Sequence, residues 1–265
     1  MITTIIGIDC AVQPKDVGLA LGRYDGRQVQ LVDVVQGREV EANATVCGWL
    51  ASSTPALIAL DAPLGWPKAL GEALKGHQAG AHLPPEPDRL FRRETDRTVR
   101  RVMHKQSLDV GADRIARTAH AALTLLECLR DATHKPIPLA WDPVLAPDPG
   151  IYALEVYPAA TLIAWHMAAP GYKDKAGQKQ RKSLLEQLGQ QMLLPTDTSC
   201  MVESDDALDA AICVLAGADF LRGPVIEPTD RATAEKEGWI WVRRPTDEAQ
   251  RPEAAPIRRF TRPSK

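Results

Sequence analysis

Acidic residues end two short apolar runs of this chain, and a carboxylate in that position can take part in chemistry. Residues 3–10 are apolar and rich in β-branched side chains up to Asp9, and residues 55–61 repeat the pattern up to Asp61. Runs of this length and composition predict buried β-strands. A lone acid at a strand end is more often a turn cap than part of a site. The repetition of the pattern makes a shared site at one sheet edge the more informative hypothesis.

Further acids lie in a third strand-like run and at the start of a helix. Glu155 is inside the strand-like run, and Asp206 and Asp209 belong to the helix. A helix capped by Ser204 explains Asp205 and Asp206, because acids stabilise the positive N-terminus of a helix. Asp209 lies beyond the first turn among apolar residues, so that explanation does not extend to it.

Converging carboxylates repel one another, so a cluster of four or five requires cations. Oxygen ligands of this kind suit Mg²⁺ or Mn²⁺. Two such ions about 4 Å apart would activate a water for in-line attack on a phosphodiester. Taken singly, Glu155 could instead pair with a lysine and Asp61 could cap a turn. The predicted metal ligands are Asp9, Asp61, Glu155 and Asp209, and the predicted catalytic set adds Asp206.

Two basic segments are candidates for contacts with phosphate groups. Residues 89–101 contain six arginines, three of which are spaced three and four residues apart and so share one face of a helix. Residues 173–182 form a second basic segment, rich in lysine. A solvated charged surface is the alternative for either segment. The predicted phosphate-binding residues are Arg93, Arg97, Arg100, Lys175 and Arg181.

Composition narrows the class of protein. The chain has 265 residues, 45% of them hydrophobic and 25% charged, as in a globular protein with a sizeable core. A net charge of −2 excludes a polycationic nucleic-acid binder. The five cysteines are scattered, which argues against a disulfide framework and a zinc knuckle. We expect a cytoplasmic protein, because no run resembles a signal peptide or the roughly 20 apolar residues of a membrane span.

The order of predicted elements indicates an α/β fold with a mixed sheet. The first 36 residues predict three antiparallel strands, with a hairpin turn at Asp25 and Gly26. A helix over residues 39–52 then leads to the strand that ends at Asp61. This crossover makes the fourth strand parallel to one of the first three. Further helices are predicted over residues 68–75, 111–132, 158–168, 180–193 and 203–221.

One domain is predicted over residues 1–224. Residues 225–265 form a C-terminal extension that is polar and increasingly rich in Pro and Arg. Within it, residues 238–242 predict one short strand, and the tail from residue 245 onward is expected to be disordered or loosely attached.

These motifs together resemble an uncharacterised prokaryotic family, domain of unknown function 429, described as predicted nucleases. The matching stretches are residues 7–9, 61–67, 93–96 with Arg100, 154–158, 175–181 and 205–210. The resemblance implies a ribonuclease H-like fold, with a five-stranded mixed sheet flanked by helices on both faces. Ala159 and Thr95 depart from the family pattern, which often has an acid and a cysteine at these positions.

The leading functional hypothesis is a Mg²⁺- or Mn²⁺-dependent nuclease that acts on nucleic acid, with DNA and RNA both open. A non-catalytic binding or scaffold protein of the same fold is the main alternative. An ATP-dependent phosphotransferase is disfavoured, because residues 10–14 contain no glycine that would let backbone amides approach phosphates.

Overall fold

A five-stranded mixed sheet forms the centre of the protein in a computed structural model that describes residues 2–38, 40–51, 53, 55–84, 86–111, 113–146, 150–167 and 170–245. The strands are β1 (Thr3–Asp9), β2 (Gly18–Tyr24), β3 (Val29–Gln36), β4 (Ala56–Asp61) and β5 (Ile151–Glu155). Their order is β3-β2-β1-β4-β5. The first three strands are antiparallel, and β4 and β5 continue parallel to β1. The predicted topology is therefore confirmed and is compatible with a ribonuclease H-like fold.

Helices cover both faces of this sheet, as predicted. They are α1 (Ala42–Leu50), α2 (Lys68–Leu74), α3 (Pro87–Phe91), α4 (Glu94–Met103), α5 (Asp113–Thr133), α6 (Pro158–Ala164), α7 (Gln178–Leu188), α8 (Ser199–Glu203), α9 (Asp205–Arg222) and α10 (Arg231–Glu237). One face packs against α1 and α5, and the other packs mainly against α9 with α7 and α8 beside it. Helix α6 ends earlier than predicted, and residue 168 of that prediction lies outside the described residues.

Strand β1 lies in the middle of the sheet and is buried on both faces, which explains its continuous apolar run. Ile6 and Ile8 belong to the core beneath α1 and α5, whereas Ile5 packs under α9. Because side chains alternate along a strand, Asp9 lies on the same face as Ile5. The strand therefore directs its acid towards α9.

Glycines allow α9 to lie directly on the sheet. A Cβ atom added to Gly7 would be 2.0 Å from the carbonyl oxygen of Ala210, and one added to Gly18 would be 2.0 Å from that of Asp206. Only residues without a side chain permit this approach of helix and strand backbones. The close packing brings the first turns of α9 to the ends of β1 and β2.

We expect Gly7→Ala to lower the free energy of unfolding by about 3 kcal/mol, because the new methyl group forces α9 away from β1. Gly48→Ala is the matched control, since Gly48 is exposed in α1 with open space around its Cα. That change should raise stability by about 0.5–1 kcal/mol. Urea unfolding of both variants measures the difference, and equal effects would contradict the packing.

The segment from residue 225 to 245 packs against the domain and is not a separate extension. Trp239 and Trp241 are buried, and the ring of Trp241 lies 4.8 Å from that of Phe220. The predicted strand at residues 238–242 contacts β5 through a parallel bridge between Glu155 and Ile240. The domain therefore extends past the predicted boundary at residue 224. The predicted loose tail lies outside the described residues from 246 onward.

The longest described helices are α5 and α9. Within the described ranges, neither these nor the shorter helices combine the length and apolar character of a bilayer-crossing helix.

Candidate metal centre

Three carboxylates come together where β1 and β4 end. Asp9 and Asp61 are paired neighbours on adjacent parallel strands, and Asp209 approaches them from the second turn of α9. One oxygen from each lies within 4.8 Å of the others. Asp209 is fully buried, whereas Asp9 and Asp61 are partly exposed. This separation, with hard oxygen donors from three elements, fits a metal ion that bridges them.

All three acids have raised pKa values. Burial and the neighbouring Asp209 raise the pKa of Asp61 from 3.8 to about 8. Burial, Asp209 and Asp61 raise the pKa of Asp9 well above its usual range. Burial also raises the pKa of Asp209, although Lys173 and Tyr172 oppose that change. Ionising all three acids would therefore leave an excess of negative charge that only a bound cation could offset.

Asp206 lies at the edge of the cluster, one turn from Asp209. Burial, followed by repulsion from Asp205 and Asp16, raises the pKa of Asp206 to about 6. Asp206 also contributes to the raised pKa of Asp9. Asp206 therefore lies at the rim, outside the triad of closely spaced oxygens.

Two residues of the loop between α6 and α7 contact Asp209. The Tyr172 hydroxyl donates a hydrogen bond to Asp209 Oδ1 at 2.9 Å, and the Lys173 ammonium forms an ion pair with Asp209 Oδ2. Burial alone would lower the pKa of Lys173, but Asp209 and Asp61 raise it. Sequence reasoning placed Lys173 in a phosphate-binding segment and did not identify Tyr172. Neither residue has a spacing that reveals its contact with Asp209.

Glu155 does not join the triad, contrary to the predicted ligand set. Its two carboxylate oxygens accept hydrogen bonds from Arg93 Nη1 and Nη2 at 2.8 and 2.7 Å. The cause is the sheet register, because Glu155 pairs with Leu60 and not with Asp61. A step of one residue places a side chain on the opposite face of a sheet.

Arg93 is consequently a structural residue and not the predicted phosphate contact. It is 1% exposed and bonds Asp96 as well as Glu155. Burial alone would lower its pKa, but the two carboxylates raise it. The Ser107 hydroxyl donates to Asp96, and the backbone N–H of Leu64 donates to Glu155. This network fixes the turn after Asp61 against α4 and β5.

Glu237 extends the network into the C-terminal segment. Its carboxylate accepts hydrogen bonds from the backbone N–H groups of Lys68 and Glu94, each at 2.7 Å. Its carbonyl oxygen accepts a bond from Arg93 at 3.2 Å. Glu237 therefore caps α2 and α4 together, which sequence reasoning missed because the partners are more than 140 residues away.

Arg181 is also buried, at 2% exposure, which contradicts its predicted role in phosphate binding. Its guanidinium donates to the carbonyl oxygens of Tyr172, Asp174 and Val202 at 2.5, 3.1 and 2.6 Å. It thereby fixes the loop that carries Lys173. Buried guanidinium groups satisfied by carbonyls have no free donors for a ligand.

The other three predicted phosphate-binding residues are at least partly exposed to solvent. Arg100 and Lys175 are exposed. Arg97 is partly exposed, forms an ion pair with Glu94 at 2.9 Å and lines a polar cavity of about 280 Å³. These three residues remain predictions for contacts with an anionic substrate.

A larger cavity of about 1180 Å³ lies on the other face of the sheet, between α1, α5 and the turn after β1. Its walls include Cys10, Val12 and His120. Cys10 and Asp9 are consecutive and so point to opposite faces. The cavity is therefore adjacent to the end of β1, but the three carboxylates do not line it.

The fold and the acidic triad define an α/β protein with a candidate metal centre at the edge of a mixed sheet. The chain belongs to the family described as Protein of unknown function (DUF429), whose model matches residues 7–233. The match includes all three carboxylates and extends into α10, which supports assigning residues beyond 224 to the domain. No curated protein matches the chain.

The raised pKa values predict a stability that falls with increasing pH in metal-free protein. Asp61 binds its proton up to about pH 8 when folded but only to about 3.8 when unfolded. The folded state therefore binds more protons over this interval, so its stability decreases as the pH rises through it. Thermal unfolding with a chelator should show a steeper decline for the wild type than for Asp61→Asn. Parallel pH profiles would contradict the prediction.

Proposed function

We propose that this protein is a divalent-metal-dependent nuclease that hydrolyses phosphodiester bonds. The observation that carries the proposal is the triad of Asp9, Asp61 and Asp209. Three separate elements bring these acids together despite their mutual repulsion. Buried like charges are destabilising, and a bound cation would offset their repulsion.

Asp9, Asp61 and Asp209 would hold the ion, and their all-oxygen character favours Mg²⁺ or Mn²⁺. A bound ion would polarise a phosphodiester oxygen and lower the pKa of a water molecule. Tyr172 orients Asp209 through its hydrogen bond. Asp206, whose pKa of about 6 is close to neutral, is suited to accept a proton from a water at the rim.

Nucleic acid is the proposed substrate, since accessible basic residues lie in α4 and in the loop that carries Lys173. Arg97 and Arg100 belong to α4, and Lys175 lies in the loop of Lys173. Phosphate contacts of this kind position a nucleic acid without reading its sequence. Their loss should therefore weaken binding to all sequences alike and reduce its dependence on salt.

The test is cleavage of end-labelled single- and double-stranded DNA and RNA by the purified chain, with Mn²⁺, Mg²⁺ or a chelator. We expect cleavage of at least one substrate that needs the ion and disappears in Asp9→Asn. If a folded protein that binds Mn²⁺ cleaves none of the four substrates, the nuclease proposal is wrong.

One observation favours a second candidate, a non-catalytic protein of the same fold. Lys173 already supplies the triad with a positive partner, so part of the repulsion is relieved without a metal ion. In this case the protein would bind nucleic acid without cleaving it, and Asp9→Asn would leave that binding unchanged.

A further inference from the structure

The Lys173 side chain approaches the triad from solvent. Its ammonium group forms an ion pair with Asp209, and its charge also acts on Asp61 and Asp9. Yet 52% of its side-chain surface is exposed. Lys173 therefore lies at the open side of the cluster, where an ion from solution would also enter.

The backbone on both sides of Lys173 is fixed. The Arg181 guanidinium bonds the carbonyl oxygens of Tyr172 and Asp174, the residues before and after it. The loop also closes tightly around Gly177, where an added Cβ would lie 2.5 Å from the carbonyl oxygen of Gly171. The loop backbone thus holds Lys173 next to the triad, while the exposed side chain of Lys173 can rotate away.

The charges do not balance when Lys173 is the only cation. One ammonium faces the three carboxyl groups of the triad, with Asp206 nearby, so Lys173 alone cannot neutralise them when all are ionised. A divalent ion would neutralise more of this charge, but it would bring a second cation next to the ammonium. Like charges in contact at a partly buried site are unfavourable.

We propose that the Lys173 ammonium group occupies the cation position of the Asp9–Asp61–Asp209 cluster and competes with the metal ion for it, an inference that rests on the proposed function. When the ion binds, Lys173 rotates outward on its fixed backbone. Its ammonium group then stays within one side-chain length of the cluster, on the open side from which a phosphate group would approach. Lys173 is thereby both a competitor of the metal and a contact for the anionic substrate.

The test is calorimetric titration of Mn²⁺ into the full chain carrying Lys173→Met, which keeps the apolar stem and removes the charge. We expect the Kd for Mn²⁺ to fall by about tenfold or more, because no ion pair with a buried carboxylate has to be broken. Lys173→Arg should bind like the wild type. Lys175→Met removes an exposed charge from the same loop and should leave the affinity for Mn²⁺ unchanged.

If Lys173→Met folds poorly without metal, a second measurement tests the same competition. Thermal unfolding should then show a larger increase in Tm on addition of Mn²⁺ for the variant than for the wild type, because the stabilisation by a ligand grows with the logarithm of its concentration divided by its Kd. On a cleaved substrate, Lys173→Met should lower kcat/KM in spite of its tighter metal binding.

A purely structural Lys173 would give a different result, with weaker or equal Mn²⁺ binding in Lys173→Met. Equal affinities for Mn²⁺ in the wild type and Lys173→Met would show that Lys173 does not compete with the ion, and the proposed metal centre would still stand. An absence of Mn²⁺ binding in both proteins would overturn the proposed function together with this inference.

Discussion

Arg93→Met is expected to lower the free energy of unfolding by about 3–5 kcal/mol, because it leaves two buried carboxylates without their positive partner. Glu155 and Asp96 would keep their buried positions, at 3% and 2% exposure, but lose the four hydrogen bonds that the Arg93 side chain donates to them. Urea unfolding monitored by tryptophan fluorescence measures the loss.

Arg100→Met is the control for this prediction, since Arg100 belongs to the same basic segment but is 57% exposed and lies 3.9 Å from Asp88. Its removal should change stability by less than about 0.5 kcal/mol. If Arg93 bound phosphate instead, stability would not distinguish Arg93→Met from Arg100→Met. Arg93→Met would then fold with nearly normal stability and lose affinity for nucleic acid, and the structural role assigned to Arg93 would be wrong.

Asp9→Asn is expected to abolish metal-dependent cleavage, with a fall in kcat/KM of about a thousandfold, since a metal ion contributes several kcal/mol of transition-state stabilisation. The same change should leave the stability of metal-free protein unaltered or increase it. The reason is that Asn has nearly the same shape and removes one of three mutually repelling charges. Cleavage assays and thermal unfolding in a chelator test the two parts together.

Asp205→Asn provides the matched control, because Asp205 starts the same helix but stands outside the triad. It should change stability by no more than about 0.5 kcal/mol, the size of an interaction with the helix N-terminus, and retain its activity. If Asp9→Asn instead destabilised metal-free protein and left cleavage intact, Asp9 would be a structural acid.

The triad could be predicted from the sequence because each acid breaks a local pattern. Asp9 and Asp61 end apolar strands, and Asp209 lies on the buried face of a helix past the region that capping explains. Glu155 also interrupts an apolar strand, but its role depends on register. Alternation along one strand cannot tell which residue of a neighbouring strand it pairs with.

The sequence predicts phosphate binding by Arg93 and Arg181, because a run of basic residues has no local mark of burial. Their partners are distant or backbone groups: Glu155 lies 62 residues from Arg93, and Arg181 bonds carbonyl oxygens, which every residue has. Tyr172 escaped detection for a related reason. Its partner, Asp209, is 37 residues away, in an element that only the tertiary fold brings close.

The C-terminal segment shows a limit of composition as a guide to domain boundaries. Its polar, proline-containing character indicated an extension, yet Glu237 caps two helices and Trp241 packs in the core. The apolar run at residues 238–242 does predict a short strand. What the sequence did not reveal is that β5 presents an edge for it, with the backbone N–H of Trp241 donating to the carbonyl oxygen of Glu155 at 2.9 Å.

Calorimetric titration of Mn²⁺ into the wild type and into Asp9→Asn tests the metal centre most directly, because it needs no knowledge of the substrate. We predict binding by the wild type, at one or two sites, that is lost or weakened by about tenfold or more in Asp9→Asn. Circular dichroism would confirm that both proteins are folded. No binding to folded wild type, without and then with nucleic acid present, would contradict the assignment of Asp9, Asp61 and Asp209 as metal ligands.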